Sequence, residues 1–158
     1  MNVTISPTTE SGRITRDHLT PAEVARSIDA VRKRGGWYAS RDATLIPIVY
    51  RHGLRRTEAA HLRWSDVDLL EGPIYIRRVK GSRSGRHHLA GDETRVLKRL
   101  KKENEPSSFV FTGNRRIPLS ERTIGHIVHQ AGILAGFEFP FTLTYFVTLA
   151  GIIWRIKE

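Results

Sequence analysis

A sharp junction between two predicted helices, at Gly53 to Arg55, constrains the fold of this chain more than any other feature. Apolar residues before it predict a helix over about Ser40 to His52, although Pro47 is expected to bend that helix or to end its first turns. Gly53 closes the helix because glycine readily adopts the left-handed backbone of a helix end. Thr57 then predicts the cap of a short helix over Glu58 to Arg63.

The position of Arg55 beside a helix start has a chemical meaning. A helix N-terminus carries unsatisfied N–H donors and a partial positive charge. An arginine held there suits phosphate binding, because its guanidinium fork can bind two oxygens at once. Glu58, one turn along, is expected to hold that guanidinium. An ordinary surface arginine at a helix junction has the same spacing, so spacing alone leaves both interpretations open.

The charge balance favours a polyanion as partner. The 158 residues include 26 Lys and Arg against 16 Asp and Glu, a net charge of +10, and nucleic acid is the commonest partner of so basic a chain. A basic soluble protein without such a partner has the same composition. The absence of cysteine excludes disulfides, thiolate metal sites and cysteine nucleophiles.

The length fits one domain with a tail. Residues 1–19 are polar and predict a flexible N-terminal arm. No secretory signal is visible in that arm, so the expected location is the cytoplasm. The uncharged run Phe139 to Trp154 is short for a membrane span and holds Pro140, so no membrane partner is expected.

Local signals divide the rest of the chain into helices and a hairpin. Thr20, Pro21 and Glu23 form a helix start, and glycines end that helix after about Arg34. The further predicted segments are a hairpin with a first strand over Ile74 to Val79 and a return strand from His87, a basic helix from Asp92 or Glu93 to about Glu103, a strand over Phe109 to Phe111, and a helix capped by Ser120.

Two motifs, which follow each other in the same order as in a known family, resemble motifs of that family. Gly-Leu-Arg-x-x-Glu at residues 53–58, followed by Leu-x-Trp-x-Asp-Val-Asp at residues 62–68, resembles the first catalytic box of the tyrosine recombinases, or phage integrase family. Val79-Lys80-Gly81 in the hairpin turn is similar to the family's catalytic lysine position, and the resemblance covers residues 20–140. The short arm before it is similar to that of the fimbrial phase-variation invertases. The resemblance implies an α+β, mainly α fold with a small antiparallel sheet, as in a truncated DNA breaking-rejoining catalytic domain.

The resemblance also implies a chemistry without metal or other cofactor. The family cleaves DNA by attack of a tyrosine hydroxyl on a phosphate, while arginines stabilise the charge that develops there. Arg55 matches the first catalytic arginine, Glu58 supports it, and Lys80 matches the general acid. Double-stranded DNA is the implied partner, with an intact recombinase relative as a further one. The expected DNA contacts are Arg55 and Lys80, together with Arg83, Arg86, His87 and His88, which a solvated basic turn explains equally well.

The chain departs from the family at its second box. Where the family has His-Pro-His-x-Leu-Arg-His, residues 139–145 read Phe-Pro-Phe-Thr-Leu-Thr-Tyr. Phe141 and Thr144 thus replace the histidine and the second arginine, and Tyr145 lies too near the box to be the nucleophile. When the degenerate codons near Pro140 are read with a shift of one base, the permitted readings include the missing second box. Residues 141–158 are therefore expected to be an out-of-frame tail with no nucleophile.

Several functions follow from this departure. The first is a DNA-binding part of a site-specific recombinase that is unable to cleave DNA by itself. The second is a non-enzymatic DNA-binding remnant that interferes with an intact relative, and the third is a poorly folded pseudogene product. A small membrane-associated basic protein is a more distant alternative. A gel shift separates the second from the third, because only a folded remnant binds DNA through a formed site.

Overall fold

The computed structural model describes residues 8–10, 13–15, 19–78, 83–104, 106–139 and 141–143. These ranges are mainly helical with small antiparallel hairpins, which confirms the predicted α+β, mainly α fold. The elements are β1 (Thr8–Glu10), β2 (Arg13–Thr15), α1 (Pro21–Arg34), α2 (Ala39–His52), α3 (Arg56–Ala60), β3 (Pro73–Ile76), β4 (Gly85–His88), α4 (Gly91–Glu103) and α5 (Glu121–Leu134), with 3-10 turns at Trp64–Asp66 and Asn114–Arg116.

The start of α1 follows the predicted capping pattern. Thr20 Oγ1 accepts the Glu23 N–H at 3.2 Å, and Glu23 Oε2 accepts the Thr20 N–H at 2.9 Å. Two of the N–H groups that a helix start leaves open are therefore satisfied by local side chains. Gly35, with a φ of 67°, follows the last residue of the helix, as predicted.

Helix α2 is the central element, since it packs against both α1 and α4. Pro47 lies inside it, and the helix continues through it to His52, so the proline does not end the helix. The side chains of Leu45, Ile46, Ile48 and Val49 are fully buried around the proline, and this burial offsets the lost backbone hydrogen bond. Gly53 closes α2 in the left-handed conformation, as predicted.

Two predicted elements differ from the observed ones. Helix α3 begins at Arg56 after Arg55, not after Thr57, because the Glu58 carboxylate reaches back and accepts the Arg55 N–H. The predicted strand over Phe109 to Phe111 is reduced to an isolated bridge between Phe109 and Arg63. The backbone of Phe109 pairs with the short loop after α3, and in the described residues this pairing does not extend into a strand.

The main hairpin joins β3 to β4 in an antiparallel register that pairs Ile74 with His87 and Ile76 with Gly85. The first strand is shorter than predicted, since it ends at Ile76, and residues 79–82 lie outside the described residues. Ile74 and Ile76 are buried, while Tyr75 between them is partly exposed. The hairpin therefore packs one face on the core and leaves the other accessible.

The two ends of the chain are described in part. Strands β1 and β2 pair with each other inside the predicted N-terminal arm, whose flexibility stays a prediction. Phe141 and Leu143 are buried, and Phe141 packs so closely on α5 that a Cβ atom on Gly132 would lie 2.3 Å from the Phe141 Cβ. The interpretation of residues 141–158 as an out-of-frame tail stays a prediction, and residues 144–158 lie outside the described residues.

The burial of Phe141 leads to a stability prediction. Phe141→Ala should lower the free energy of unfolding by about 3–5 kcal/mol, because it removes a fully buried aromatic ring from the core. Ile133→Ala is the matched control on α5, since this side chain is 55% exposed and should cost less than about 0.5 kcal/mol. Urea unfolding of both variants measures the difference, and equal midpoints would show that Phe141 is not part of the core.

Candidate functional site

The backbone of Arg55 is fixed on both sides of its Cα atom. Its N–H donates to Glu58 Oε2 at 3.0 Å, and its carbonyl accepts the Ala59 N–H at 2.9 Å as the first bond of α3. Arg55 itself is extended, with φ −75° and ψ 163°, and is partly exposed. The arginine therefore lies at the helix junction that the sequence predicted, on backbone that cannot rotate without breaking these bonds.

Arg78 contributes to this junction, and sequence reasoning missed it. One of its guanidinium nitrogens, Nη1, donates to Glu58 Oε2 at 2.9 Å and to the Gly53 carbonyl at 2.8 Å. The other, Nη2, donates to the His52 carbonyl at 2.9 Å. Glu58 was expected to hold the Arg55 guanidinium, and the contacts described above join it to the Arg55 backbone and to the Arg78 side chain.

A second polar cluster lies beside the junction, between α2, β4 and α4. His52 Nδ1 lies 3.1 Å from His87 Nδ1, and His52 Nε2 lies 2.9 Å from Glu93 Oε1. Glu93 Oε2 accepts the Ala90 N–H at 2.8 Å, so the same carboxylate also caps α4. Burial, followed by the charges of His52 and Arg78, lowers the pKa of His87 to about 4. His87 is therefore neutral at physiological pH.

An exposed ion pair covers this cluster. Arg51 donates to both carboxylate oxygens of Asp92, at 2.8 and 2.7 Å. This hydrogen bonding lowers the pKa of Asp92 and raises that of Arg51. The pair ties the last turn of α2 to the first turn of α4, and the end of α2 is thus held from two sides.

The predicted DNA contacts on the hairpin divide between two faces of β4. Arg86 and His88 are exposed, as is Arg83 just before the strand. His87 alternates to the inner face, where it meets His52. Lys80 lies outside the described residues. The hairpin contacts the end of α2 that precedes Arg55 through His87 and Arg78.

Asp66 and Asp68, the acidic residues of the Leu-x-Trp-x-Asp-Val-Asp motif, have local structural partners. Asp66 Oδ1 accepts from Arg77 Nε at 3.0 Å, and Asp66 Oδ2 accepts the Arg63 N–H at 3.2 Å. Asp68 Oδ1 accepts the N–H groups of the two residues that follow Leu69, and these bonds lower its pKa. The motif thus shapes the loop between α3 and β3.

The position of the expected second box holds aromatic rings. The Phe137 and Phe139 rings stack with centroids 5.1 Å apart, and the Phe137 and Phe141 centroids are 5.2 Å apart. The Arg26 guanidinium lies over Phe137 at 5.0 Å. In the part of the chain that the structure describes, no cluster of His, Asp and Glu side chains has the arrangement of a metal site. None of the helices in those ranges is long and apolar enough to span a membrane.

Comparison with known proteins gives matches that cover most of the chain. Residues 17–145 match the model of the phage integrase family. The type 1 fimbriae regulatory protein FimE of Escherichia coli strain K12 is 36% identical over 127 residues, which cover 77% of this chain and 63% of FimE. The chain therefore spans less than two thirds of the length of that relative.

Solved structures show the same fold. The crystal structure of XerA recombinase matches with a TM-score of 0.72 at 23% identity and covers 89% of this chain and 52% of XerA. The pre-cleavage complex of XerH site-specific recombinase with its difH substrate matches with a TM-score of 0.71 at 20% identity, over 90% of this chain and 44% of XerH. At these identities the likeness concerns the fold alone.

The low pKa of His87 predicts a pH dependence of stability. In the unfolded chain His87 titrates near its ordinary pKa of about 6.5, whereas the folded chain keeps it neutral down to about pH 4. The unfolded state therefore binds more protons in this range, and the free energy of unfolding should fall as the pH drops from about 6.5 toward 4.

Urea unfolding at about pH 7 and about pH 5 measures this effect. His87→Asn should reduce the difference between the two pH values, because it removes the titrating ring. His88→Asn, at the exposed neighbouring position of β4, should leave the difference unchanged. The same pH dependence in all three proteins would assign the effect to other groups.

Proposed function

The chain belongs to the phage integrase family, and from this membership we propose that it binds double-stranded DNA through the surface that presents Arg55, as part of a site-specific tyrosine recombinase. One observation carries the proposal: Arg55 lies on backbone fixed by Glu58, inside the segment that matches the family model. A fixed arginine with an accessible side chain fits a DNA phosphate, since its fork can bind two phosphate oxygens.

The charge of the chain and the proteins it resembles support DNA as the partner. The net charge is +10, and Arg83, Arg86 and His88 are exposed on the hairpin that contacts the end of α2. XerH, which shares the fold, has been solved in complex with its difH DNA substrate. Phosphate contacts by such side chains position a protein on the duplex but do not read its sequence. We therefore propose that this surface binds duplex DNA with little sequence preference.

The proposed roles follow from the chemistry of each group. Arg55 binds the oxygens of a phosphate and stabilises the charge that develops when the phosphate is attacked. Lys80, at the hairpin turn, donates a proton to the leaving oxygen. Glu58 does not touch DNA in this scheme, because its side chain is only 1% exposed and pairs with Arg78.

A second candidate function is DNA binding without strand cleavage, which would interfere with an intact recombinase at its sites. The observation that favours it is the aromatic cluster of Phe137, Phe139 and Phe141 at the position of the second box. Phenyl rings supply neither the proton transfer nor the charge of the histidine and arginine that the family uses there. Such a chain keeps the Arg55 surface but lacks part of the catalytic set.

DNA binding by Arg55 is tested by fluorescence anisotropy with a labelled duplex. The logarithm of the affinity should fall linearly with the logarithm of salt concentration, by about 0.9 per phosphate contact. Arg55→Ala should weaken binding about tenfold and reduce that slope by about one contact.

Arg32→Ala is the matched control, because it removes the same charge at the other end of α2. Arg32 lines a cleft with Trp37 and Ala39 at the start of α2, whereas Arg55 follows its end. Equal losses from Arg55→Ala and Arg32→Ala would show that net charge alone drives binding. Failure of a folded sample to bind at low salt would contradict the proposal.

The 158-residue polypeptide should form no covalent adduct with a nicked DNA substrate. Loss of one charge-stabilising donor alone costs about 2.7–4 kcal/mol of transition-state stabilisation, and residues 139–145 lack both the histidine and the arginine of the second box. Denaturing electrophoresis detects an adduct, and its presence would show that the chain is active.

A repaired reading frame is the positive control. One base added near codon 140 should open a frame that encodes the second box and a tyrosine nucleophile. The repaired protein should trap DNA, and Arg55→Ala should abolish trapping. If no frame downstream encodes the box, the frameshift interpretation is wrong.

A further inference from the structure

We infer that Arg78 is a positioning residue for Arg55. Its guanidinium holds the junction between α2 and α3 in the conformation from which Arg55 presents its side chain to a DNA phosphate. The inference rests on the proposed function, because it assigns to Arg55 the DNA contact proposed above. It adds a residue outside the matched motifs to the machinery of that site.

The first support is the set of backbone groups that Arg78 binds. These groups are the carbonyls of His52 and Gly53, at the C-terminal end of α2. The last carbonyls of a helix have no partners inside the helix. A guanidinium there satisfies these acceptors and opposes the partial negative charge of the helix end. Arg78 thereby fixes His52 and Gly53, which directly precede Leu54 and Arg55.

The second support is the carboxylate that Arg78 shares with Arg55. Glu58 Oε2 accepts both the Arg55 N–H at 3.0 Å and the Arg78 Nη1 donor at 2.9 Å. The Glu58 side chain is 1% exposed, and a buried carboxylate needs a cation beside it. Without Arg78 the charge of Glu58 loses this cation, and the hydrogen bond that orients the Arg55 backbone loses its support.

The third support is the link from the junction to the hairpin. Arg78 follows β3, and its own N–H donates to Ser84 Oγ at 2.9 Å, just before β4 begins. The same residue is therefore held by both arms of the hairpin and by the end of α2.

A direct phosphate contact is the rival interpretation of Arg78. The side chain is 14% exposed, and its guanidinium already has acceptors from Glu58 and from two carbonyls. Its neighbour Arg77 offers a control, because that side chain is 68% exposed and pairs with Asp66 instead of Glu58. Both arginines carry one charge at adjacent positions, but only Arg78 has described bonds to Glu58 and to the carbonyls at the end of α2.

The test is a double-mutant cycle on DNA affinity. Arg78→Lys keeps a cation beside Glu58 but cannot reproduce the planar fork, so it should weaken duplex binding about tenfold and reduce the salt slope as Arg55→Ala does. In an Arg55→Ala background it should cause no further loss. Arg77→Gln should cause one small loss of equal size in both backgrounds. The DNA affinity of Arg78→Gln, which removes the charge, is measured in the same two backgrounds if this variant folds.

Two outcomes of the cycle would overturn the inference. Wild-type affinity in Arg78→Lys would show that the fork is not needed for positioning. An undiminished loss in the Arg55→Ala background would show that Arg78 acts on DNA directly or on the whole fold. Thermal unfolding of each variant separates the last two cases, because only a general structural role lowers the melting temperature in step with affinity.

A measurement without DNA keeps the inference distinct from the proposed function. The exchange rate of the Arg55 amide hydrogen, followed by NMR, should rise about tenfold in Arg78→Lys and stay unchanged in Arg77→Gln. An unchanged rate in Arg78→Lys overturns the positioning role even if the chain binds DNA. If the rate rises but Arg55→Ala leaves DNA affinity intact, the positioning contact stands and the proposed function fails.

Discussion

The shared carboxylate of Glu58 is the interaction on which the rest of the site depends. It joins the Arg55 N–H, at the start of α3, to the Arg78 guanidinium, at the end of β3. Because Arg78 also binds the last carbonyls of α2, three elements meet at one buried ion pair. Breaking a buried pair by removing one partner costs about 3–5 kcal/mol, since it leaves an uncompensated charge. The position of Arg55 is thus coupled to the stability of the fold.

The parts of the fold that local chemistry controls could be predicted from the sequence. Helix α1 begins at a reciprocal bond between Thr20 and Glu23, three residues apart, and α2 ends at a left-handed Gly53. The start of α3 was misplaced for one local and one tertiary reason: the Glu58 carboxylate accepts the Arg55 N–H, and the residue expected to cap the helix has a distant partner. The Thr57 hydroxyl donates to Glu121 on α5, 64 residues away, so it does not cap its own helix. Local rules do not contain such a partner.

The same distinction between local and tertiary contacts explains which parts of the site could be predicted from the sequence. Arg55 could be placed beside a helix start because the glycine and the following helix lie within a few residues of it. The partners of Arg78 lie 20 to 26 residues away, and His52 meets Glu93 across 41 residues. No spacing rule joins positions so far apart. Strand alternation does place Arg78 on the same face as Ile74 and Ile76, with Arg77 on the opposite face, but it does not give the partners that Arg78 meets there.

The described hydrogen bonds at the Arg55 junction come from residues before α4, whereas the chain departs from its family after α5. The described bonds at the junction come from His52, Gly53, Glu58 and Arg78, all of which precede α4 in the chain. The aromatic cluster around Phe141 packs instead on α5, against Gly132. A change of residues 139–145 leaves these described hydrogen bonds in place, although α5 itself packs against α3. In the proposed scheme binding and cleavage are therefore separable, because the bonds that orient the Arg55 backbone and the residues that replace the second box lie in different parts of the chain.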